Sequence, residues 1–484
     1  MIKKIMPLCM MVFLLSACHD ILDVKPSDAI GAEGVISTIE DMESAVNGAY
    51  NSLKSNTDLQ SQYDLLGELM GDNVIIPSFS EGDLDRYYDF HWIENSTNNE
   101  FYSLFYSAIT NINDVIERSA HLSNEKKFGQ YLSELKCLRA YMHFSLVKLY
   151  GPLYANLGKG EIKEDALGIV IKASNNVSLF DNWRRNTVKE VYDFIVTELE
   201  NNISDLPTEA QGYLSQDAVN LLLARIYLYM GDVRYKDVNN NYEKALEYLA
   251  KVSNAYELAE KEDYINSFTR DFNSESIFEL VVTEDTHAGL NSIGNLMSVQ
   301  QDGHKGLAAV KTFMDLKYDD VRFDIFAEYN SQGKTYYIPS HKFPGKQGSV
   351  YLNNLRILRY SEAFLIEAEC QFQLGEPEKA AQILNELRAK RTDVEPDKYD
   401  SSITLDDILF ERRLELFCEG HRAYDLWRNQ IDVVRYNSAE EREDLEHTDM
   451  TTGTIGYDNY KVVYPIAESE MIFAEDAKQQ NPGY

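Results

Sequence analysis

The stretch Leu405–Arg428, LDDILFERRLELFCEGHRAYDLWR, constrains the fold more than any other. It reads as a helix, a break at Gly420 and a second short helix. Leu405, Ile408, Leu409, Leu416 and Phe417 recur at three- and four-residue steps, which is one helical face. Arg412 and Arg413 fall inside that face: Arg412 is four residues from Ile408 and Leu416, and Arg413 is four from Leu409 and Phe417. A guanidinium on a core-facing stripe is costly unless paired and hydrogen-bonded. Glu411, Glu415 and Glu419 step along the neighbouring face, and Asp425 follows the break, so partners are close by. An anion-binding or catalytic arginine pair is one reading. The other is a buried ion network of Arg412, Arg413, Glu415, Glu419 and Asp425 that locks two helices at a fixed angle. The second is favoured, because structural ion pairs perturb such groups as readily as active sites do.

The run ERRLELFCEGHRAYDLWR resembles the E-R-R-x-E-L-x-x-E-G-x-R-x-x-D-L-x-R signature near the C-terminus of SusD/RagB-like proteins, the surface nutrient-binding lipoproteins of Bacteroidetes. Cys418 departs from it, where a larger apolar residue is more usual. Other segments share the resemblance: ILDVKPSD at Ile21–Asp28, LKCLRAYMHFSLVKLYGPL at Leu135–Leu153, Arg185 with Thr187-Val188, and the closing Tyr464-Pro465-Ile466 and Asn481-Pro482-Gly483-Tyr484.

Helical period governs most of the chain. Phe101–Ser119 is amphipathic, with Phe101, Phe105, Ala108, Ile109, Ile112, Val115 and Ile116 on one face. Ile39–Lys54, Phe128–Tyr150, Arg185–Leu206 and Ala218–Met230 also read as helices, the last apolar on almost every side and so buried. Arg356–Leu374 reads as a helix ended by Gly375, and Pro377 opens the next, Glu378–Arg391. LIEAECQFQLGEPEKAAQILNEL looks like one tetratricopeptide unit and the Ala218–Leu249 pair another, with Arg234–Asn241 inserted between its helices. Two stretches lack sustained period. Residues 55–99 alternate Gly, Pro, Ser and Asp with aromatics, and residues 254–354 carry only short β-like pieces such as Ser276–Thr283 and Thr335–Ile338. Loops of that length are functional or disordered. The expected fold is mostly α: a tetratricopeptide-like helical-hairpin scaffold with long loop-rich insertions and a few short β-strands.

At the N-terminus Lys3 and Lys4 precede the apolar run Ile5–Leu15, too short to span a bilayer, and Leu15-Ser16-Ala17-Cys18 reads as a lipobox. Residues 1–17 are therefore expected to be a lipoprotein signal peptide, Cys18 the lipidation site, and residues 18–484 one domain anchored to a membrane. Cys137, Cys370 and Cys418 lie in apolar helical stretches at no metal-site spacing and read as buried thiols.

A formal net charge of −33 disfavours nucleic acid as a partner. The sequence holds no G-x-S-x-G, H-E-x-x-H, P-loop or G-x-G-x-x-G, and its nine His are scattered. No cofactor, metal or catalytic residue is assigned. The useful binding groups are loop aromatics, whose rings offer a rigid apolar face and a polar edge. Candidates are Phe79, Tyr87 and Tyr88 in the first insertion, and His304, Tyr336 and Tyr337 in the second. Packing residues that tether long loops are the competing assignment. Trp183 and Trp427 lie beside helices and read as core, and Trp92 stands where the resemblance implies a structural tryptophan.

The resemblance implies a non-enzymatic outer-membrane lipoprotein facing the cell exterior. It would capture an oligosaccharide and deliver it to a SusC-like TonB-dependent transporter. The alternatives are a RagB-like peptide binder of the same architecture, a lipid-anchored glycosidase, and an adaptor that binds no small ligand.

Overall fold

Ten helices of seven residues or more are present among the described residues: α1 (Ile39–Lys54), α2 (Glu100–Ser119), α3 (Phe128–Tyr150), α4 (Val188–Asn202), α5 (Gln216–Tyr229), α6 (Asn241–Leu249), α7 (Tyr360–Gln373), α8 (Pro377–Ala389), α9 (Leu405–Glu415) and α10 (Arg422–Arg428). The structure is a computed structural model that describes residues 36–77, 79–80, 84–92, 100–175, 184–231, 240–435, 453–467 and 479–484. The 1–17 leader, Cys18, Trp183 and most of the 234–241 insert lie outside the described residues.

Local chemistry sets several starts. Thr38, Thr187 and Thr404 each accept the N3 backbone N–H on the hydroxyl, while the N3 carboxylate (Asp41, Glu190 or Asp407) accepts the cap N–H. These reciprocal caps satisfy two otherwise orphaned donors at the heads of α1, α4 and α9. Pro377 fills the first turn of α8.

The helices pack as successive hairpins: α2 on α3, α3 on α4, α5 on α6 and α7 on α8, with α1 against α2, α6 against α7 and α7 against α9. The fold is thus the mostly α, tetratricopeptide-like scaffold. Helix α5 is buried on nearly every side, as its unbroken apolar run requires. Ala368 of α7 and Ala380 of α8 are fully buried, and their small side chains let the two helices approach closely. Cys137, Cys370 and Cys418 are buried free thiols.

Several boundaries differ from those read in the sequence: the Arg185–Leu206 helix is confined to Val188–Asn202, and two further differences bear on the site. Residues 355–359 are strand, not the first turn of a helix that begins at Arg356. The extended conformation lets them pair antiparallel with Ser276–Leu280, and the gain from a long-range partner overrides a local helical period. The first signature helix also ends at Glu415 rather than at Gly420. Residues 416–420 form a turn in which Cys418 (φ 57°) and Gly420 (φ 79°) both take left-handed backbone. The Cys418 N–H freed by that turn donates to Glu68 Oε1 at 3.2 Å.

Strands are short: β1 (Val74–Ile75), β2 (Ser276–Leu280), β3 (Ala308–Ala309), β4 (Ala327–Ser331), β5 (Lys334–Ile338), β6 (Leu355–Arg359), β7 (Val433–Val434) and β8 (Thr454–Ile455). The antiparallel sheet β1-β3-β5-β4 is the element that matters for function. Its first strand comes from the first loop-rich insertion and the other three from the second, so two regions more than two hundred residues apart meet at one place.

Candidate functional site

The β4–β5 hairpin turns through Gln332 (φ 51°) and Gly333 (φ 80°), with Ser331 opposite Lys334. Positive φ at both central residues gives a tight two-residue turn whose twist matches the strands. That turn fixes the register, which sets Tyr329 directly opposite Tyr336. Phe79, from the first insertion, packs against both: its ring centroid is 4.9 Å from Tyr336 at 88° and 5.2 Å from Tyr329 at 58°. All three rings are half-buried. Ser80 donates its hydroxyl to the Gly306 carbonyl at 3.2 Å, tying this edge to the segment that carries His304 and Lys305. The buried Lys305 ammonium lies 5.0 Å from the Tyr329 ring centroid and donates to the Gln300 and Gly303 carbonyls, both at 2.7 Å. The product is an aromatic platform with a cation behind it, built from both insertions.

The structure brings together Phe79 and Tyr336 of the expected ligand residues and separates the others. Tyr337 alternates to the opposite face of β5 and is half-buried. His304 is partly covered, and its buried Nδ1 has no hydrogen-bond partner. Tyr87 and Tyr88 are core residues, 0% and 3% exposed. Tyr87 packs on Phe101 and Tyr464, and the Arg435 guanidinium covers Tyr88 at 4.2 Å. Neither ring presents a face to a ligand, so both act as the packing residues that tether the first insertion. Trp92 (4% exposed, Nε1 donating to the Lys461 carbonyl at 3.1 Å) and Trp427 are core. Sequence reasoning missed Tyr329. Its only signal was alternation within Ala327–Ser331, and its importance comes from a register that a short polar segment does not announce.

The signature forms two linked ion networks. Arg412 of α9 donates to Asp425 of α10 at 2.8 Å, and Arg428 donates to Asp425 at 2.8 Å and also pairs with Glu369 of α7. This pairing spans the break and clamps α9, α10 and α7 together. On the other side of α9, Glu415 accepts from Arg391 (2.9 Å) and Arg359 (3.2 Å), Glu411 from Arg322 and Arg388 (both 2.7 Å), and Glu419 from Arg359 (2.8 Å) and Lys342 (2.5 Å). Glu275 and Asp320 complete it, so four arginines and one lysine face five carboxylates. The surrounding guanidiniums hold the Glu415 and Asp425 carboxyls far below the usual range against the opposing effect of burial; Glu419 is lowered in the same way. Arg413 departs from the expected grouping. It is half-buried, donates to the Asn73 side chain and stacks over Phe313 at 4.8 Å, because it points from α9 toward the first insertion. Asn73 in turn donates to Glu68 at 2.8 Å, and neighbouring Asp72 takes two bonds from Arg422 at 2.7 and 2.9 Å. The signature is therefore a structural hub that also holds the base of β1, and with it one edge of the aromatic platform.

Comparison with known proteins agrees with the helical fold. A family model described as "SusD family" matches residues 313–484, and one described as "Starch-binding associating with outer membrane" matches residues 20–228. The chain belongs to the SusD/RagB-like family. A SusD superfamily protein from Bacteroides thetaiotaomicron superposes with a TM-score of 0.80 at 27% identity, covering 92% of this chain and 100% of that one. SusD-like protein P38 of Formosa agariphila is 24% identical, over 87% of this chain and 90% of the relative. A surface glycan-binding protein A from B. thetaiotaomicron, solved in complex with laminarihexaose, shares the SusD-like fold at 21% identity and a TM-score of 0.65, over 92% of this chain and 100% of that one. Among the described residues no helix is long and apolar enough to cross a membrane, and no group of three His, Cys, Asp or Glu is placed to hold a metal ion.

Proposed function

We propose that this SusD-like chain is a non-enzymatic outer-membrane lipoprotein, anchored through Cys18 and facing the cell exterior, that captures an oligosaccharide and passes it to a partner SusC-like TonB-dependent transporter. One observation carries the binding half of that reading: Phe79, Tyr329 and Tyr336 converge from two distant insertions onto one sheet edge. A ring face suits the C–H face of a sugar, and a tyrosine hydroxyl or the peptide edge supplies the polar contacts that orient it. Of the other expected residues, His304 lies on the segment that the Ser80–Gly306 hydrogen bond ties to the platform, so it is the next to contact a chain of sugars, whereas Tyr337 faces away. The family descriptions and the laminarihexaose-bound neighbour support a glycan over other ligands. The work required is capture and hand-over, for which no covalent step is needed; a tethered binder raises the local ligand concentration at its transporter.

The test is affinity electrophoresis of the detergent-solubilised full-length protein through a panel of polysaccharides, with product analysis. Retardation by one glycan without cleavage is expected, weakened at least tenfold by Tyr336→Ala and by Tyr329→Ala. Equal retardation of both variants would remove the platform from the mechanism. Retention by peptides alone would establish the RagB-like alternative, and new reducing ends the glycosidase.

A further inference from the structure

A second pocket lies well away in sequence from the aromatic platform. Its inner wall is β2, with Ile277 and Glu279; Tyr256 and Phe272 line its sides, and Glu209 and Gly212 its rim. Its volume of about 210 Å³ is below that of a drug-sized ligand site and suits one small ring. Three features show that it is built rather than accidental. Strand β2 is bulged on both sides of Phe278, and bulges re-aim side chains beside functional sites. Gly212, at φ 79°, holds a left-handed turn that sets the rim loop beside the Phe272 ring. Glu279 is 1% exposed, yet its Oε2 has no hydrogen-bond partner.

The surroundings of Glu279 select the guest. Oε1 accepts from the Phe272 N–H and from Asn354 Nδ2 at 3.2 Å. Oε2 lies 3.9 Å from Arg356 Nε, too far for a hydrogen bond, and Arg356 Nε also has no partner. Arg356 does not line this pocket, but at 3.9 Å it balances the charge of Glu279, so what Oε2 takes is a donor that brings no charge of its own. An ammonium would add a second cation beside Arg356, and a carboxylate can only accept. A hydroxyl donates without adding charge. A hydroxyl on a ring with an apolar face also suits the two aromatic walls.

We infer that this pocket binds a single neutral pyranose unit, its ring against Phe272 and Tyr256 and one hydroxyl directed to Glu279. The choice of a sugar rests on the glycan reading above; the pocket and its need for a hydroxyl do not. The two fail separately, because the platform is tested by polysaccharide retention and Tyr336→Ala, and the pocket by its own probes and variants.

The probes are D-glucose, D-galactose and D-mannose, with ethylamine as the cationic control, titrated against the full-length protein by saturation-transfer NMR. Ala255→Trp blocks the pocket from an exposed position on its lining, and Phe272→Ala removes one wall. Millimolar binding of at least one hexose is expected. It should weaken at least tenfold in both variants and stay within twofold in Tyr336→Ala. Circular dichroism confirms that the variants fold, and Ala255→Trp gives the result should Phe272→Ala not fold. No hexose binding to the wild type, binding unchanged by Ala255→Trp, loss in Tyr336→Ala alone, or selective binding of ethylamine would each overturn the inference.

Discussion

Glu415→Gln tests the reading of the signature as a buried structural network. Glu415 is fully buried and accepts from Arg391 Nε (2.9 Å), Arg391 Nη2 (3.1 Å) and Arg359 Nη1 (3.2 Å), with Arg322 Nη1 at 4.0 Å. Glutamine preserves shape and one acceptor but leaves five cations against four carboxylates, with no water to screen the excess. Breaking one partner out of a buried pair costs about 3–5 kcal/mol. We expect the low end, about 3 kcal/mol, because Arg391 keeps Glu275 at 2.7 Å and Arg359 keeps Glu275 (2.7 Å) and Glu419 (2.8 Å). The pH dependence has a definite sign. The folded protein holds the Glu415 carboxyl below its unfolded value, so its contribution is complete above the unfolded pKa of about 4.3 and declines as pH falls further. The gap between wild type and variant should therefore be full at pH 7 and narrow below pH 4. Urea unfolding followed by tryptophan fluorescence at pH 7, 5 and 3.5 reads both quantities. A gap under about 0.5 kcal/mol at pH 7, or one that does not narrow in acid, would refute the argument. Replacing the pair together, Arg391→Met with Glu415→Leu, should destabilise less than the sum of the single changes.

Two further outcomes follow from the same geometry. Burial raises the Glu68 carboxyl to about 7, against bonds from Asn73 and Cys418 that favour the charged form. A raised carboxyl pKa means that the folded state binds more protons than the unfolded state between about pH 4.5 and 7, so stability declines as pH rises through that window, by at most about 3 kcal/mol; Glu68→Gln should flatten that slope in urea midpoints measured from pH 5 to 8. Glycine positions should split by environment. A Cβ on Gly67 would stand 2.4 Å from the Gly420 carbonyl carbon, a backbone overlap that should cost Gly67→Ala more than about 3 kcal/mol. Gly48 in α1 has open space around its added Cβ, and Gly48→Ala should stabilise by about 0.5–1 kcal/mol in thermal unfolding.

Local physics wrote much of this fold into the chain. A period of 3.6 with threonine caps and Gly/Pro stops marked the long helices closely, and α3 spans the same Phe128–Tyr150 read from the sequence. The need to neutralise arginines on an apolar stripe made a buried network legible before any partner outside the signature was known. The 55–99 and 254–354 insertions stood out because they lack period. Only the tertiary structure decided what depends on distant pairing. Arg356–Arg359 became strand because β2 was there to pair with it. Arg413 left the carboxylate network for Asn73 and Phe313 because α9 faces the first insertion on that side. Tyr87 and Tyr88 were taken into the core, while Tyr329 joined Phe79 and Tyr336 through a hairpin register. A sequence states which rings sit on loops. Which rings keep a face toward solvent is set by what packs against them from hundreds of residues away, and no local pattern carries that information.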